Sequence, residues 1–443
     1  MAESLRVSVI GTGYLGTTHA AGMAEMGHQV VGLDVDADKV AQLSAGQVPF
    51  FEPGLQDVLA RSLDSGRLRF TTSYADLAAS ADIHFVCVGT PQQAESNSAD
   101  MRFVDAAVRS LAEVLTTPCL VVGKSTVPTG SAGRLANLVR EIAPIGEGAD
   151  LAWNPEFLRE GHALQDTINP DRLVFGVSSE TAERHLRQVY ASVIDGGCPV
   201  IVTDLATAEM VKVAANSFLA TKISFINAMA EVCEVTGADV ATLAEALGHD
   251  GRIGPRFLKA GLGFGGGCLP KDIRGFMARA EELGVEQAVS FLREVDAINL
   301  RRRARMIDLA LAELDGDVVG KRIAVWGAAF KPDSDDVRDS PALDVASSLQ
   351  SRGADVGVYD PKAMDNARRK YPELNYCRTA IDAARDADLV LHLTEWEEFQ
   401  KLQPTTLDGI TRAKRILDGR GALDPLSWRE AGWTYRALGR PGV

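Results

Sequence analysis

A lone thiol stands at the end of a glycine-rich loop near the middle of the chain. The stretch GFGGGCLPKD, residues 263–272, places Cys268 after three glycines and before Pro270 and Lys271. Proline is favoured in the first turn of a helix, so the pattern predicts Cys268 at a helix N-terminus. The partial positive charge there, together with Lys271, favours the thiolate, which is a nucleophile for carbonyl groups. The alternative is a small residue that only begins a helix.

The segment VIGTGYLG, residues 9–16, carries Gly11, Gly13 and Gly16 at the spacing of a dinucleotide-binding turn. It follows a strand-like run and precedes a helical one, which is the context that the motif requires. Asp34 follows at the end of the next strand and is expected to accept hydrogen bonds from a ribose and to repel a 2′-phosphate. No arginine follows it in DVDADK, so NAD is favoured over NADP. A glycine turn without a cofactor is the alternative.

Further groups suited to acid–base chemistry lie on a long apolar segment and in a polar loop. Lys212 and Asn216 are four residues apart and share a helix face. A lysine there is either a satisfied structural cation or a stabiliser of a developing oxyanion. The loop PEFLREG adds Glu156 and Glu160, two carboxylates that could act as acid or base.

These residues need a scaffold, and the pattern of apolar runs predicts one. In the first part of the chain, helical stretches alternate with the strand-like runs RVSVIG, QVVGLD, IHFVCVGTP and PCLVVGKSTVP, and ADLAWNPEFL, RLVFGV and CPVIVTD follow. Near Lys321 the alternation resumes with the runs KRIAVWGAAF, ADVGVYDP, ADLVLHLTEW and KRILDGRG. Buried parallel strands followed by helices are typical of doubly wound α/β sheets. The sequence therefore predicts an α/β protein with two Rossmann-like domains, joined by a long central helix and a helical middle domain.

The long helix is predicted from Asp204 to about Val235, with Thr203 or Asp204 as its cap and Gly237 at its end. Its length is about 48 Å at 1.5 Å per residue, and so long an apolar helix needs partners along it. We expect it to bridge two domains and to form a dimer face. The predicted boundaries are 1–203, 204–317 and 318–443.

Composition limits the partners. The net charge of −14 argues against nucleic acid and anionic membranes as general partners. No run is long enough to span a bilayer and no leader is visible, so a cytoplasmic location is expected. The six scattered cysteines favour neither disulfides nor a metal site. Cys87 and Cys119, in apolar runs, are expected to be buried and inert.

Along nearly its whole length the chain resembles the nucleotide-sugar dehydrogenases, the UDP-glucose/GDP-mannose dehydrogenase family. The landmarks occur in order: GTGYLG, VGTP, KSTVP, NPEFLREG, EMVKVAANSFLATKISFINAMAE, GFGGGCLPKD, FKPDSDDVRDSP and LDGRG. The resemblance implies oxidation of the 6-hydroxymethyl group of a sugar nucleotide to a carboxylate with two NAD⁺. It also implies that Cys268 carries a thiohemiacetal and then a thioester, and that residues 1–203 bind NAD while residues 318–443 bind the sugar nucleotide.

The resemblance also assigns roles to single residues. The catalytic set is Cys268, Lys212, Asn216, Asp272, Glu156 and Thr126, although Asp272 could be only a helix first-turn charge. The cofactor set is Gly11, Gly13, Tyr14, Leu15, Gly16, Asp34, Lys39, Thr90, Pro91, Ser125, Thr126, Glu160, Lys271 and Arg338. The substrate set is Glu156, Phe157, Leu158, Arg159, Lys212, Asn216, Arg252, Phe257, Lys259, Gly263, Phe264, Gly265, Lys331 and Arg420.

The resemblance leaves alternatives for substrate and activity. RIGPRFLKAGLGFGGG is more similar to enzymes of UDP-glucose than to those of GDP-mannose, which favours UDP-glucuronate as product. The same chemistry on dTDP-glucose, GDP-mannose or a UDP-N-acetylhexosamine is the alternative. A two-electron 3-hydroxyacid dehydrogenase would need no Cys268, and a non-catalytic NAD-binding protein would lack the catalytic residues. Arg252 is expected to reach a neighbouring subunit's site, which implies a homodimer or higher oligomer.

Overall fold

The computed structural model describes residues 4–441 and forms two compact units. The first contains the described residues up to Ala215 together with Arg274–Gly284, and the second contains Asn216–Ile273 together with the residues from Val285 onward. Among residues 4–441, no helix combines the length and the apolar character that crossing a bilayer requires.

The first unit is built on an eight-stranded sheet. Its strands are β1 Arg6–Ile10, β2 Gln29–Leu33, β3 Leu68–Thr71, β4 Ile83–Val86, β5 Cys119–Gly123, β6 Ala149–Trp153, β7 Leu173–Gly176 and β8 Val200–Thr203. They lie in the order β3-β2-β1-β4-β5-β6-β7-β8, and only the β6–β7 pair is antiparallel. The first six strands thus have the order of a dinucleotide-binding sheet.

Helices cover both faces of this sheet. They are α1 Tyr14–Glu25, α2 Ala37–Ser44, α3 Leu55–Asp64, α4 Tyr74–Ser80, α5 Arg102–Ala112, α6 Ser131–Ile142, α7 Ala163–Ile168, α8 Glu180–Val189 and α9 Ala191–Asp195, with a 3₁₀ turn at Gly146–Gly148. Val121 and Leu135 belong to the apolar cluster on one face, and Phe85 and Leu186 to the cluster on the other. Burial of both faces explains why the central strands are almost wholly apolar.

The long helix α10, Leu205–Thr236, confirms the predicted element within one residue at each end. The Asp204 carboxylate accepts a hydrogen bond from the Thr207 backbone N–H at 2.9 Å and caps its start. At the other end Gly237 adopts a φ of +78° and its N–H donates to Cys233 O. That left-handed conformation is the usual helix stop, and glycine adopts it without strain.

The second unit combines helices with a second sheet. After α10 come α11 Val240–Gly248, α12 Leu269–Glu282 and α13 Phe291–Glu313, and α12 contributes Leu269–Ile273 to this unit. The strands are β9 Arg322–Trp326, β10 Asp355–Tyr359, β11 Asn375–Tyr376, β12 Leu389–His392, β13 Arg415–Asp418 and β14 Thr434–Ala437. The remaining helices are α14 Pro341–Ser351, α15 Met364–Lys370, α16 Ala380–Ala384, α17 Glu397–Lys401 and α18 Pro425–Glu430, with 3₁₀ turns at Glu286–Val289 and Pro404–Leu407.

The second sheet repeats the order of the first six strands of the first sheet. Its order is β11-β10-β9-β12-β13-β14, and every pair is parallel. Asp360, directly after β10, is 1% exposed. Its carboxylate accepts hydrogen bonds from five groups: the N–H groups of Ala328, Ala329, Lys362 and Ala363, and Trp396 Nε1–H. The predicted fold class, with two Rossmann-like sheets and a helical middle, is confirmed.

Candidate active site

The glycine motif forms a tight turn between β1 and α1. Gly11 has a φ of +88°. A Cβ on Gly16 would lie 1.8 Å from Gly11 O, so only glycine fits there, whereas a Cβ on Gly13 would meet nothing within 4 Å. Helix α1 has no acidic residue in its first turn and no side-chain cap. Its N–H groups and its dipole therefore suit a pyrophosphate.

Asp34 lies beside this turn at the end of β2. Its Oδ2 accepts hydrogen bonds from Thr12 N at 3.0 Å and from Lys39 Nζ at 2.9 Å, and its Oδ1 accepts one from Asp36 N at 3.1 Å. Burial raises the pKa of Asp34, but the Lys39 ammonium and the backbone donors outweigh burial and leave the pKa below its usual value. The ionised carboxylate only accepts hydrogen bonds, which suits ribose hydroxyls.

Tyr14 connects the glycine turn to the loop after β6 through Glu52, which the sequence analysis did not single out. The Tyr14 hydroxyl donates to Glu52 Oε2, and the same carboxylate accepts from Gly161 N at 2.7 Å and from Leu164 N at 3.3 Å. Glu52 is 5% exposed. Burial, followed by the contact with Glu52, raises the pKa of Tyr14. Leu15, the next motif residue, is half-buried.

The loops after β4 and β5 are tied to each other. The Thr90 hydroxyl donates to Thr126 O at 2.7 Å, and the Ser125 hydroxyl donates to Val88 O at 2.6 Å. Pro91, which follows Thr90, is exposed. These loops leave the carboxyl ends of neighbouring parallel strands, the edge at which doubly wound sheets bind ligands.

Lys212 and Glu156 form a buried ion pair. Lys212 Nζ lies 2.9 Å from Glu156 Oε1, and the two side chains are 6% and 12% exposed. Glu156 Oε2 accepts a hydrogen bond from Leu158 N at 2.6 Å. The Phe157 ring lies 5.7 Å from Lys212 Nζ and 3.8 Å from the Arg172 guanidinium. The structure thus joins the predicted oxyanion stabiliser to the predicted acid–base carboxylate.

The rest of this loop is held by a local ion pair. Arg159 donates from its backbone N at 2.8 Å and from Nε at 3.0 Å to Asp166 Oδ2. Half of the Arg159 side chain is exposed. Glu160 is half-buried and raises the pKa of Tyr14 through its charge. Sequence reasoning missed Arg172 and Asp166, because neither belongs to a motif with a stated chemistry.

In the second unit, Cys268 is the residue directly before α12. The Asp272 N–H donates to Cys268 O at 2.9 Å, the first hydrogen bond of the helix. Cys268 is exposed, whereas the other five cysteines are buried or half-buried. Cys87 and Cys119 are buried as predicted, and burial raises the pKa of each to about 12. Exposure and the helix terminus thus coincide at Cys268.

Asp272, one helical turn after Cys268, bridges two donors. Asn216 Nδ2 donates to Asp272 Oδ2 at 2.6 Å, and Lys271 Nζ lies 2.6 Å from Asp272 Oδ1. The Asp272 side chain is 2% exposed. A first-turn surface charge would be exposed, so the geometry argues for a specific role of this carboxylate.

The glycines before Cys268 lie directly against the loop of residues 330–341. A Cβ on Gly265 would lie 2.2 Å from Asp339 O, and one on Gly267 would lie 2.2 Å from the Arg338 guanidinium. Gly263 has a φ of +91°, and a Cβ on it would lie 2.4 Å from Asn299 Oδ1. Arg338 also binds Asp336 with Nη2 at 2.7 Å. The glycines therefore permit contact between two loops, and the predicted cofactor residue Arg338 is part of that contact.

Arg420 ties three loops of the second unit together. Its guanidinium donates to Leu393 O at 2.8 Å, to Gly263 O at 3.0 Å and to Phe330 O at 3.0 Å. Lys331, the residue after Phe330, is half-buried, and its Nζ lies 5.5 Å from the Phe330 ring centroid. The structure thus places the predicted substrate residue Arg420 as an anchor of the glycine loop.

The other predicted substrate residues of this unit differ in exposure. The Arg252 side chain is 90% exposed and paired with Asp250. Lys259 is exposed and Phe264 is buried. Phe257 has a φ of +64°, a conformation that is uncommon for residues other than glycine and that stores strain in the backbone before the cysteine loop.

Comparison with known proteins identifies the family. Residues 5–194, 206–301 and 324–425 match, in order, the NAD binding, central and UDP binding domains of the UDP-glucose/GDP-mannose dehydrogenase family. The chain belongs to this family. Its cofactor is NAD and its substrate class is the sugar nucleotides.

Similar proteins match over the full length. The chain is 39% identical to the UDP-glucose 6-dehydrogenase of Rhizobium meliloti (strain 1021), over 99% of this chain and 100% of that protein. It is 38% identical to UDP-glucose 6-dehydrogenase TuaD of Bacillus subtilis (strain 168), over 99% and 94%. The solved UDP-glucose dehydrogenase of the archaeon Pyrobaculum islandicum is 39% identical with a TM-score of 0.90, and the match covers 99% and 98% of the two chains.

Proposed function

We propose that this family member is an NAD-dependent UDP-glucose 6-dehydrogenase. It converts UDP-glucose, two NAD⁺ and one water into UDP-glucuronate, two NADH and three protons. One observation carries the proposal: Cys268 is exposed at the start of α12, one helical turn before the buried Asp272, which binds Asn216. An alcohol dehydrogenase that stops at the aldehyde has no need for such a thiol.

The reaction proceeds in three steps: oxidation to an aldehyde, oxidation of its thiol adduct, and hydrolysis. First, C6 of glucose loses a hydride and its hydroxyl loses a proton, which gives an aldehyde. The Cys268 thiol adds across that carbonyl, and loss of a second hydride and a proton from the thiohemiacetal gives a thioester. Water then releases the acid and restores the thiol. NAD⁺ supplies the chemistry of hydride acceptance, and the covalent bond to Cys268 retains the reactive aldehyde.

Lys212 and Glu156 are assigned complementary roles in these steps. The Lys212 ammonium stabilises the negative charge that develops on the substrate oxygen, and Glu156 exchanges the proton with that oxygen or with water. Their buried 2.9 Å contact supports the assignment, because each charge compensates the other until substrate arrives. Phe157, Leu158 and Arg159 belong to the same loop and are assigned to substrate positioning.

Asp272, Asn216 and Thr126 are assigned to the water and oxyanion of the thioester step. Asn216 and Asp272 are fixed by their mutual hydrogen bond of 2.6 Å, which leaves further Asn216 donor capacity for a substrate oxygen. The backbone carbonyl of Thr126 accepts a hydrogen bond from the Thr90 hydroxyl at 2.7 Å, which fixes Thr126 in the loop after β5. Lys271 completes this group from the first turn of α12.

The residues of the first unit fit NAD. The uncapped N-terminus of α1, Gly13 with open space beside it, and the ionised Asp34 match the pyrophosphate and the ribose hydroxyls. Lys39, Thr90, Pro91, Ser125 and Glu160 line the same sheet edge and are assigned to the cofactor. Arg338 keeps its proposed cofactor role from the second unit.

UDP-glucose is the preferred substrate in this proposal. Identity is 39% to the solved UDP-glucose dehydrogenase but 27% to the solved UDP-D-ManNAc dehydrogenase of Pyrococcus horikoshii, although both match over 99% of this chain. The diphosphate is assigned to Lys259, Lys331 and Arg420, with Phe257 and the Gly263–Gly265 backbone around the base and sugar. dTDP-glucose is the competing substrate, since its base differs from uracil by a methyl group.

We also propose a homodimer of three-domain chains in the cytoplasm, with domains at 1–203, 204–317 and 318–443. Arg252, 90% exposed, is assigned to the partner subunit's site. All six cysteines are free, which suits a reducing compartment.

The stoichiometry of the reaction tests the function. Purified protein given limiting UDP-glucose and excess NAD⁺ should form two NADH per UDP-glucuronate, followed by absorbance and product chromatography. One NADH per sugar with a released aldehyde would refute the four-electron reaction. A higher kcat/KM for dTDP-glucose would correct the substrate while leaving the reaction intact.

Cys268→Ser tests the covalent step. The serine hydroxyl is far less ionised than a thiol and its ester is hydrolysed more slowly, so release of UDP-glucuronate should fall by at least 100-fold. Mass spectrometry should reveal a trapped sugar ester on the Cys268→Ser protein. Cys198→Ser, which changes a half-buried thiol outside the site, should retain wild-type turnover. Wild-type turnover of Cys268→Ala would exclude the thioester.

A further inference from the structure

A small polar cavity lies in the first unit behind Glu156. Its volume is about 40 Å³, which is room for a water molecule. Its buried wall includes His19 of α1, Lys124 after β5, and Tyr190 after α8. Glu156 lines the same cavity, with Asp171 and Arg172 from the loop before β7. The cavity thus connects Glu156, which is assigned to proton exchange with the substrate, with the buried Lys124 amine, which has no role in the mechanism described above.

Lys124 is an unusual cation. The residue is 6% exposed, and no carboxylate within residues 4–441 forms an ion pair with its amine. Nζ lies 3.1 Å from Asn154 Oδ1 and 3.4 Å from the Tyr190 hydroxyl, and 5.9 Å from the Phe85 and Tyr190 ring centroids. Neutral oxygen atoms and aromatic rings compensate a buried charge only in part. Burial accordingly lowers the pKa of Lys124 to about 8.

His19 gives the second, independent sign of a ligand in this cavity. The residue is 1% exposed, and its Nε2 has no hydrogen-bond partner among residues 4–441. Buried polar atoms in proteins are almost always hydrogen-bonded, to protein or to ordered water. A water in the cavity would have His19 Nε2, the Lys124 amine and the Tyr190 hydroxyl as partners, and three is the usual number for a buried water.

We propose that this cavity holds water that links Glu156 to Lys124, and that Lys124 is a positioning residue that controls proton transfer through Glu156. The inference rests on the proposed function, in which each oxidation releases a proton from the substrate. Glu156 takes that proton and passes one to the cavity water. The water in turn gives a proton to the neutral Lys124 amine, and Lys124 returns it to solvent through the mouth of the cavity beside Asp171.

The pKa of Lys124 depends on the charged and titratable groups around it. The titratable side chains that act on it or pack against it are His19, Cys87, Glu156, Tyr190 and Lys212. Burial lowers the pKa of His19 well below its usual value, raises that of Tyr190 well above it, and raises that of Cys87 to about 12. The charge of Glu156 raises the pKa of Lys124, and that of Lys212 lowers it.

The first test is Lys124→Met, which keeps the length of the side chain and removes the amine. Wild-type kcat should rise with pH with an apparent pKa near 8. The variant should not show that rise, and its kcat at pH 8.5 should be at least tenfold lower than that of the wild type. The KM values for UDP-glucose and NAD⁺ should change less than twofold. Lys401→Met, which removes a 70% exposed lysine, should match the wild type. A Lys124→Met enzyme with the wild-type rate and pH profile would overturn the proposal.

Chemical rescue separates proton transfer from packing. Lys124→Ala should recover activity with ethylamine and much less with 2,2,2-trifluoroethylamine, which is similar in shape but a weaker base. Equal rescue by both amines would mean that Lys124 only fills space. If the Lys124 variants do not fold, Tyr190→Phe serves instead, because loss of a hydroxyl acceptor should move the apparent pKa down. An unchanged Tyr190→Phe profile would also refute the proposal. If wild-type protein does not oxidise UDP-glucose, the proposed function fails instead.

Discussion

At the scale of single residues, we propose that the pair Asp34–Lys39 sets the choice between NAD⁺ and NADP⁺. Asp34 keeps its negative charge because Lys39 Nζ lies 2.9 Å away, and the side chain of Asp34 is only 9% exposed. A 2′-phosphate would meet this carboxylate at close range, where like charges repel strongly. Without the carboxylate, the Lys39 ammonium would be left as a phosphate partner.

Asp34→Ser should therefore invert part of the cofactor preference. We expect kcat/KM for NAD⁺ to fall at least tenfold, because the ribose hydroxyls lose their acceptor, and kcat/KM for NADP⁺ to rise at least tenfold. Steady-state kinetics with both coenzymes measure the ratio. Asp38→Ser, an exposed neighbour in the first turn of α2, is the control and should leave the ratio unchanged. Equal use of NADP⁺ by the wild type would contradict this assignment of Asp34.

The sequence predicts the motif residues of the candidate site but not the residues behind them. Gly11, Gly16 and Cys268 occur in patterns whose chemistry is readable, and the structure puts them at a strand–helix turn and at a helix terminus. Glu52, Lys124 and Arg172 act through packing between segments far apart in the chain. The position of Glu52 directly after two phenylalanines in FFEPGL is a signal that could have found it, since a carboxylate among apolar residues is rarely buried without partners.

At the scale of elements, Glu209 shows how α10 holds another helix. Helix α6 begins after Gly130 without a side-chain cap. Instead Glu209 accepts hydrogen bonds from Gly130 N at 2.7 Å and from Ala132 N at 2.6 Å, and it is 2% exposed. Burial raises the pKa of Glu209 from 4.5 to about 6, although the backbone donors oppose the shift.

The free energy of unfolding should therefore fall as pH rises through this window. The folded state binds the Glu209 proton more tightly than the unfolded state does. This contribution to the free energy of unfolding, about 2 kcal/mol, is therefore present in full below pH 4.5 and is lost as the pH rises through about 6. Glu209→Gln cannot titrate, so the wild-type advantage over it should shrink between pH 4 and pH 7 in urea titrations. Glu113→Gln, an exposed glutamate after α5, should run parallel to the wild type. A constant difference would contradict the raised pKa.

The elements that the sequence did not predict are edge strands. β3, β11 and β14 lie at three of the four sheet edges, whereas the central strands were all predicted. Central strands are apolar on both faces, which the pattern reveals. β11 has two residues, one exposed and one half-buried, and β3 alternates leucine and phenylalanine with polar residues. Their pairing is decided by the neighbouring strand and not by their own composition.

At the scale of the whole molecule, α10 carries an apolar stripe in its second-unit part. Phe218, Phe225 and Val232 recur every seventh residue and are 66%, 47% and 51% exposed, and Val235 is 84% exposed. A heptad spacing brings such side chains to one face of a helix. We propose this exposed stripe as the contact surface of the homodimer, because a second copy of the same helix is a self-complementary partner for it.

Phe225→Glu should break this contact. A charge in the middle of an apolar dimer interface is desolvated without a partner, so light scattering should shift from at least two chain masses toward one. Phe103→Glu alters an exposed phenylalanine of α5, 51% exposed, and should leave the mass unchanged. An active wild-type monomer would exclude the dimer. Mixed Arg252→Ala and Cys268→Ala chains should recover some activity if subunits share sites.

The carboxylate of Asp360 has all of its acceptor positions occupied, and from this we infer a single coenzyme site in each chain. In the second sheet it stands where Asp34 stands in the first, but its five donors leave no lone pair for a ribose, since a carboxylate offers about four. A chain with a single coenzyme-binding site must still remove two hydrides from each sugar in the proposed reaction. In the mechanism proposed above, the first NADH would then depart, and a second NAD⁺ arrive, while the half-oxidised sugar stays covalently bound to Cys268. The thiol then serves as a tether during coenzyme exchange as much as a nucleophile.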